Sequence, residues 1–158
     1  MKQRRLIMIA SALGAAASVL VIAAAGTART NAQQTLAFTG VERHNTMANG
    51  APNVGGEIIF DDVIYNRGSQ FGKPSGARVG TAEGVCTVVT EMKAQCVITA
   101  HVPDGQIVVV GAIVASDTPH TDHYAIVGGG GAYGNAQGTV TTTPLGETRN
   151  LVVLHLAH

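Results

Sequence analysis

The sequence predicts an all-β fold: an eight-stranded antiparallel β-barrel in one domain, preceded by an N-terminal signal helix. Three observations carry this. Residues 1–32 have the basic start, long apolar run and small-residue exit of an export segment. After them helix signals are scarce, and β-branched residues and glycine dominate. The breaks between extended segments carry turn residues, and eight short strands joined by short turns suit a closed sheet, which has no exposed edge.

Taken in order, the first element is the segment 1–32. Met1, Lys2, Arg4 and Arg5 make the basic start, and residues 6–26 carry no charge. Ala28 and Ala32 are candidate cleavage points, with Ala32 favoured, which leaves a domain of residues 33–158 and a secreted product. No cysteine follows the apolar run, which excludes a lipoprotein anchor. The competing reading is a retained membrane anchor, because about 20 apolar residues suffice to span a bilayer. The many Ala and Gly in the run weigh against it.

Eight extended segments follow, over residues 34–43, 56–66, 76–90, 94–103, 105–115, 122–129, 134–143 and 148–157. Asn49-Gly50-Ala51-Pro52-Asn53 breaks the first from the second. Asn66 to Ser69 and Lys73 to Gly76 bound a loop before the third, and Pro103-Asp104-Gly105 is a tight turn between the fourth and fifth. The run Gly128 to Gly131 resembles a phosphate loop, but no Lys-Ser/Thr and no helix start follow it. Glycines at a strand turn or bulge explain it better.

The third and fourth segments allow a register to be predicted. If Cys86 faces Cys96, one face holds Ala82, Gly84, Cys86 and Val88 opposite Ala100, Ile98, Cys96 and Ala94. The other holds Thr81, Glu83, Val85 and Thr87 opposite His101, Thr99, Val97 and Gln95. The first face is small and apolar and the second mostly polar, so alternation puts both cysteines inside. Two cysteines in an exported chain favour a Cys86–Cys96 disulfide over two buried thiols.

Charge narrows the function classes. The full chain balances 10 basic against 10 acidic residues. Four of the basic residues, Lys2, Arg4, Arg5 and Arg29, lie in the export segment, so residues 33–158 keep six basic and ten acidic residues, net −4. That is no footprint for nucleic acid. Three Tyr and no Trp make a weak platform for sugars.

Four motifs, in order, carry a family resemblance. Gly56-Glu57-Ile58-Ile59-Phe60-Asp61-Asp62-Val63-Ile64-Tyr65 resembles a strand opening with Phe-Asp-Asp, an apolar pair and Tyr. Arg78-Val79-Gly80-Thr81-Ala82-Glu83-Gly84-Val85-Cys86 resembles a Val-Gly strand ending in Cys. The stretches from Pro103 to Gly111 and from Tyr124 to Gly138 resemble two further glycine-marked strands. The set resembles the allene oxide cyclase-like and dirigent-like barrels. The resemblance implies an eight-stranded barrel with an apolar pocket at its mouth. It implies a cyclase or isomerase that steers a reactive hydrophobic small molecule by confinement, with no metal or organic cofactor. Homodimers or homotrimers are the implied assemblies. A non-catalytic barrel that binds a lipophile, or serves a structural role, is the alternative.

The candidate site follows partly from this resemblance. Asp62 occupies the position of a pocket Asn or Asp, and Cys86 that of a pocket Cys. The family's first-strand acid falls near Thr39, a pocket Tyr at Ile113, and a dirigent Asp and Arg at Ala132 and Gln137, so the sequence departs from the family at all four. From the residues themselves, Asp62 shares a strand face with Phe60 and Ile64, where burial would raise its pKa and suit it as an acid. Asp61 and Tyr65 fall on the opposite, solvent-facing side. His123 or Tyr124 is expected to add a second polar group at the mouth, and Phe60, Ile64, Cys86 and Ile113 to shape the pocket. Glu42 and His44 read as surface residues. His120, Asp122 and His123 lack a metal-site spacing, so no metal site is expected.

Overall fold

The computed structural model describes residues 33–157. The expected signal helix lies outside them. Eight strands follow one another: β1 (Gln34–Ala48), β2 (Glu57–Asn66), β3 (Arg78–Thr90), β4 (Lys93–Val102), β5 (Gly105–Val114), β6 (Asp122–Gly131), β7 (Gln137–Pro144) and β8 (Arg149–Ala157). Each pairs antiparallel with the next, and β8 returns to β1, so the sheet closes into a barrel. Among the described residues no helix is long and apolar enough to cross a membrane.

The β3–β4 hairpin has the predicted register. Ala82 faces Ala100, Gly84 faces Ile98, Cys86 faces Cys96 and Val88 faces Ala94. Cys86 and Cys96 form a disulfide. Both are buried, as alternation required.

β1 runs five residues beyond the predicted segment and contains a bulge. Glu42 pairs with Asp62 and His44 with Asp61, so Arg43 has no opposite residue. One extra residue in a strand reverses its alternation. Glu42 therefore points inward, His44 outward and Asn45 inward again. The Gly128–Gly131 run directly follows a register shift against β5, between Ile126 and Gly128, and Gly131 has φ +63° at the β6–β7 turn.

One end of the barrel is closed by packing. Leu36, Ile107 and Leu156 are almost fully buried there, with Val79, Val102 and Tyr133 around them. The β2–β3 loop completes the plug. Asn66 is buried, and its Nδ2 donates to the carbonyls of Gln70 and Lys73 at 2.8 and 3.0 Å. The Gln70 amide in turn pairs with both backbone groups of Ala37 at 2.6 and 2.7 Å. This docking stacks Phe71 on Phe38 with ring centroids 6.2 Å apart. With that end sealed, any cavity must open at the other, where β1–β2, β3–β4, β5–β6 and β7–β8 are joined.

Candidate functional site

The barrel encloses a cavity of about 270 Å³. That is just below the usual size of small-molecule pockets, roughly 300–1,000 Å³. Phe38, Ile64, Val109 and Leu154 form the floor, and Phe60, Ile98, Ile113 and the Cys86–Cys96 bridge form apolar walls. Polar groups gather toward the mouth: Glu42, Asn45, Asp62, Asp122, Thr142 and Asn150.

Small residues leave room for large ones. A Cβ on Gly84 would lie 2.6 Å from the Phe60 ring, and one on Gly111 would lie 2.6 Å from Tyr124 Cδ1. Both rings lie over the missing side chains of the next strand. Cross-strand pairs of this kind set the shape of the cavity.

The two adjacent aspartates of β2 have opposite environments. Asp62 points into the cavity beside Glu42, its partner on β1. Burial, then the charges of Glu42 and Asp61, push its pKa up to about 6. Among the described residues no group donates a hydrogen bond to it. Asp61 points outward and pairs with Arg43 and with His44 Nδ1, the latter at 2.8 Å. The hydrogen bond with His44 is the first cause holding its carboxyl below the ordinary range. Period-two alternation separates a charged surface aspartate from a half-buried one that can hold a proton near neutrality.

Tyr124 lies on β6, diametrically across the ring of strands from β2. It is buried and hydrogen-bonded to Thr142; burial, with some help from Asp122, raises its pKa. Asp62 and Tyr124 thus present two polar groups from opposite walls. A substrate held between them can be offered a proton from one side and a hydroxyl from the other.

Phe60, Asp62, Ile64, Cys86, Ile113 and Tyr124, all expected in the pocket, line it. His123 does not. It neighbours Tyr124 on a regular strand, so it faces outward and is exposed. The disulfide takes Cys86 out of use as a thiol, and its sulfur serves as apolar wall. His120 bonds to Asp122 at 3.1 Å, and among the described residues no three His, Cys, Asp or Glu side chains are grouped to hold a metal ion.

Glu42 corrects the surface reading, since it lines the cavity. The signal was present: Phe38, Gly40 and Glu42 share one parity. Thr39 lies on the outer face, so the inward acid of the first strand is Glu42, three residues later. Ala132 and Gln137 are exposed at the sealed end, away from the cavity. Asn45 could not be placed from the sequence, because nothing in it marks the bulge at Arg43.

Fold and site together define a closed antiparallel barrel with an apolar cavity, open at one end and acidic at its mouth. The sequence matches the allene oxide cyclase barrel-like domain over residues 41–154. The chain belongs to that family. Solved structures share the fold. A pyocyanin demethylase is 24% identical with a TM-score of 0.64, covering 78% of this chain and 100% of its own. The pterocarpan synthase dirigent protein GePTS1 is 19% identical with a TM-score of 0.59, covering 78% and 82%. AbnU, described as an exo-specific intermolecular Diels-Alderase, is 13% identical with a TM-score of 0.59, covering 80% and 98%. No curated protein matches the sequence.

Proposed function

We propose that the mature chain is a cofactor-independent cyclase or isomerase that confines a reactive hydrophobic small molecule in the barrel. The observation that carries this is the enclosed cavity with Asp62 inside it, its pKa raised to about 6. Ring closure and isomerisation are redox-neutral, so confinement and a positioned proton donor suffice for them. Asp62 is the polar director and Tyr124 the second polar group, while Phe60, Ile64 and Ile113 hold the substrate in one folded shape. The family's cyclases, the dirigent protein and the Diels-Alderase support the reading by analogy of fold.

Secretion belongs to the same proposal. The disulfide supports an oxidising compartment. A mature N-terminus at Gln33, found by N-terminal sequencing of exported protein, would establish it; a retained Met1 would overturn it.

The second reading is a secreted binder of a lipophilic ligand without turnover. The aliphatic Ile113, standing where the resemblance places a cyclase tyrosine, favours it. A purely structural barrel would be filled solid, and this one is not. The test is to incubate residues 33–158 with cell extract and identify bound and converted lipophiles by mass spectrometry. Conversion abolished in Asp62→Ala establishes the cyclase. Retention without conversion establishes the binder. Conversion unaltered in Asp62→Ala sinks Asp62 as director.

A further inference from the structure

Among the described residues, the charges that line the cavity are all of one sign. β1 supplies Glu42, β2 Asp62 and β6 Asp122, while β3, β4, β5, β7 and β8 contribute no charged side chain. Among the described residues no Lys, Arg or His lines the space. Arg43 and His44 pair with Asp61 on the outer face, and His120 touches Asp122 from the rim. An entering carboxylate would have to lose water among three carboxylates, of which only Asp122 has a basic side chain, His120, against it, in a low-dielectric cavity where such repulsion is strong. An entering cation would find those carboxylates at the mouth and the aromatic rings of Phe60 and Tyr124 in the wall.

We infer that the cavity selects a compact hydrophobic molecule bearing a positive charge, a protonated or quaternary amine on an apolar body, and rejects free fatty acids and other carboxylates. The apolar body occupies the floor between Phe38, Ile64 and Leu154, and the charged group rests at the level of Glu42 and Asp122. This rests on the reading of the cavity as a ligand site, and it adds the charge of the ligand to that reading.

Three probes with one naphthyl body separate the two ideas: 1-naphthylmethyl-trimethylammonium, 1-naphthalenemethanol and 1-naphthylacetate. Their dissociation constants are measured by calorimetry on residues 33–158 at pH 8 and low salt. The ammonium should bind at least about tenfold tighter than the alcohol, and the carboxylate at least about tenfold weaker. In the Glu42→Gln/Asp122→Asn double variant the advantage of the ammonium should shrink to about threefold or less, with the alcohol's affinity kept within about threefold. The amides keep the shape of the carboxylates, and an unchanged alcohol affinity shows the cavity intact. If the carboxylate matches the ammonium, or the double variant keeps the full preference, the charge inference falls while the pocket reading stands. If the double variant also loses the alcohol, Glu42→Gln alone is measured in its place, with the same two outcomes. If the wild-type protein binds none of the probes, the ligand-site reading falls and this inference with it.

Discussion

At the scale of single residues, the aspartate pair of β2 gives the sharpest expectations. Asp62 has a folded-state pKa raised from 3.8 to about 6, first by burial and then by Glu42 and Asp61. Its protonation therefore favours the folded state: that contribution is complete below pH 3.8 and is lost as pH rises through about 6. Asp62→Asn, which cannot ionise, should gain stability relative to the wild type between pH 4 and 7, by about 1 kcal/mol once partial exposure of the side chain is allowed for. Urea unfolding at the two pH values measures this, and an equal difference at both would refute it. If Asp62 donates a proton in the reaction, wild-type turnover should fall as pH rises past about 6, and that step should vanish in Asp62→Asn. Asp61 titrates the other way, since His44 and Arg43 hold it low, and what it contributes is lost only as pH falls through its depressed value. The inward Asp62 was legible because Phe60, Asp62 and Ile64 share a parity. That Glu42 lies beside it was not, because Glu42 belongs to another strand and only the register of β1 on β2 brings the two together.

At the scale of strands, alternation decides most placements and irregularities decide the rest. The β3–β4 register could be predicted because small apolar residues fill one face of both strands. The disulfide across it closes a short loop, with its cysteines 10 residues apart. Removing it in a Cys86→Ala/Cys96→Ala variant should cost roughly 2–3 kcal/mol on the loop-entropy model, read as a lower urea midpoint. A midpoint equal to the wild type would show that the hairpin is held by its packing alone. On β6 the same alternation assigns Tyr124 to the cavity and His123 to solvent. His123→Ala should therefore change stability by no more than about 0.5 kcal/mol and leave ligand affinity alone. Gly111→Ala, behind Tyr124, should cost roughly 1–3 kcal/mol and weaken binding, because its Cβ would meet the tyrosine ring at 2.6 Å. Equal behaviour of the two variants in a ligand titration would contradict the assignment of faces. The sequence could not reveal the bulge at Arg43: a bulge is a property of two strands paired, and no residue type in β1 requires one there. The inward turn of Asn45 is therefore visible only in the paired strands.

At the scale of the whole molecule, eight strands implied closure, and closure with small inward residues implied space inside. How much space was not legible, because it depends on how far the Asn66–Gln70 plug and the Phe38–Phe71 stack fill the sealed end. Closure also removes every sheet edge, so association between barrels must use their outer faces. There the register aligns an apolar row across five strands: Ile59 faces Val85, Val85 faces Val97, Val97 faces Val110 and Val110 faces Ala125. Ile59, Val85 and Val97 are 42%, 40% and 51% exposed. With strands about 4.8 Å apart, the row runs roughly 19 Å around the wall, a continuous apolar surface of the kind that marks an association site. A second copy of the chain can cover it without obstructing the ligand, because the cavity opens at the end of the barrel and the row lies on its side. The dimers or trimers implied by the family resemblance are thus expected to form through this wall. Light scattering on residues 33–158 should give an assembly larger than one chain, and Val97→Lys at the centre of the row should reduce it to the monomer with ligand affinity unchanged. A wild-type monomer would leave the row without that role. A Val97→Lys oligomer of unaltered size would place the interface on another face of the barrel.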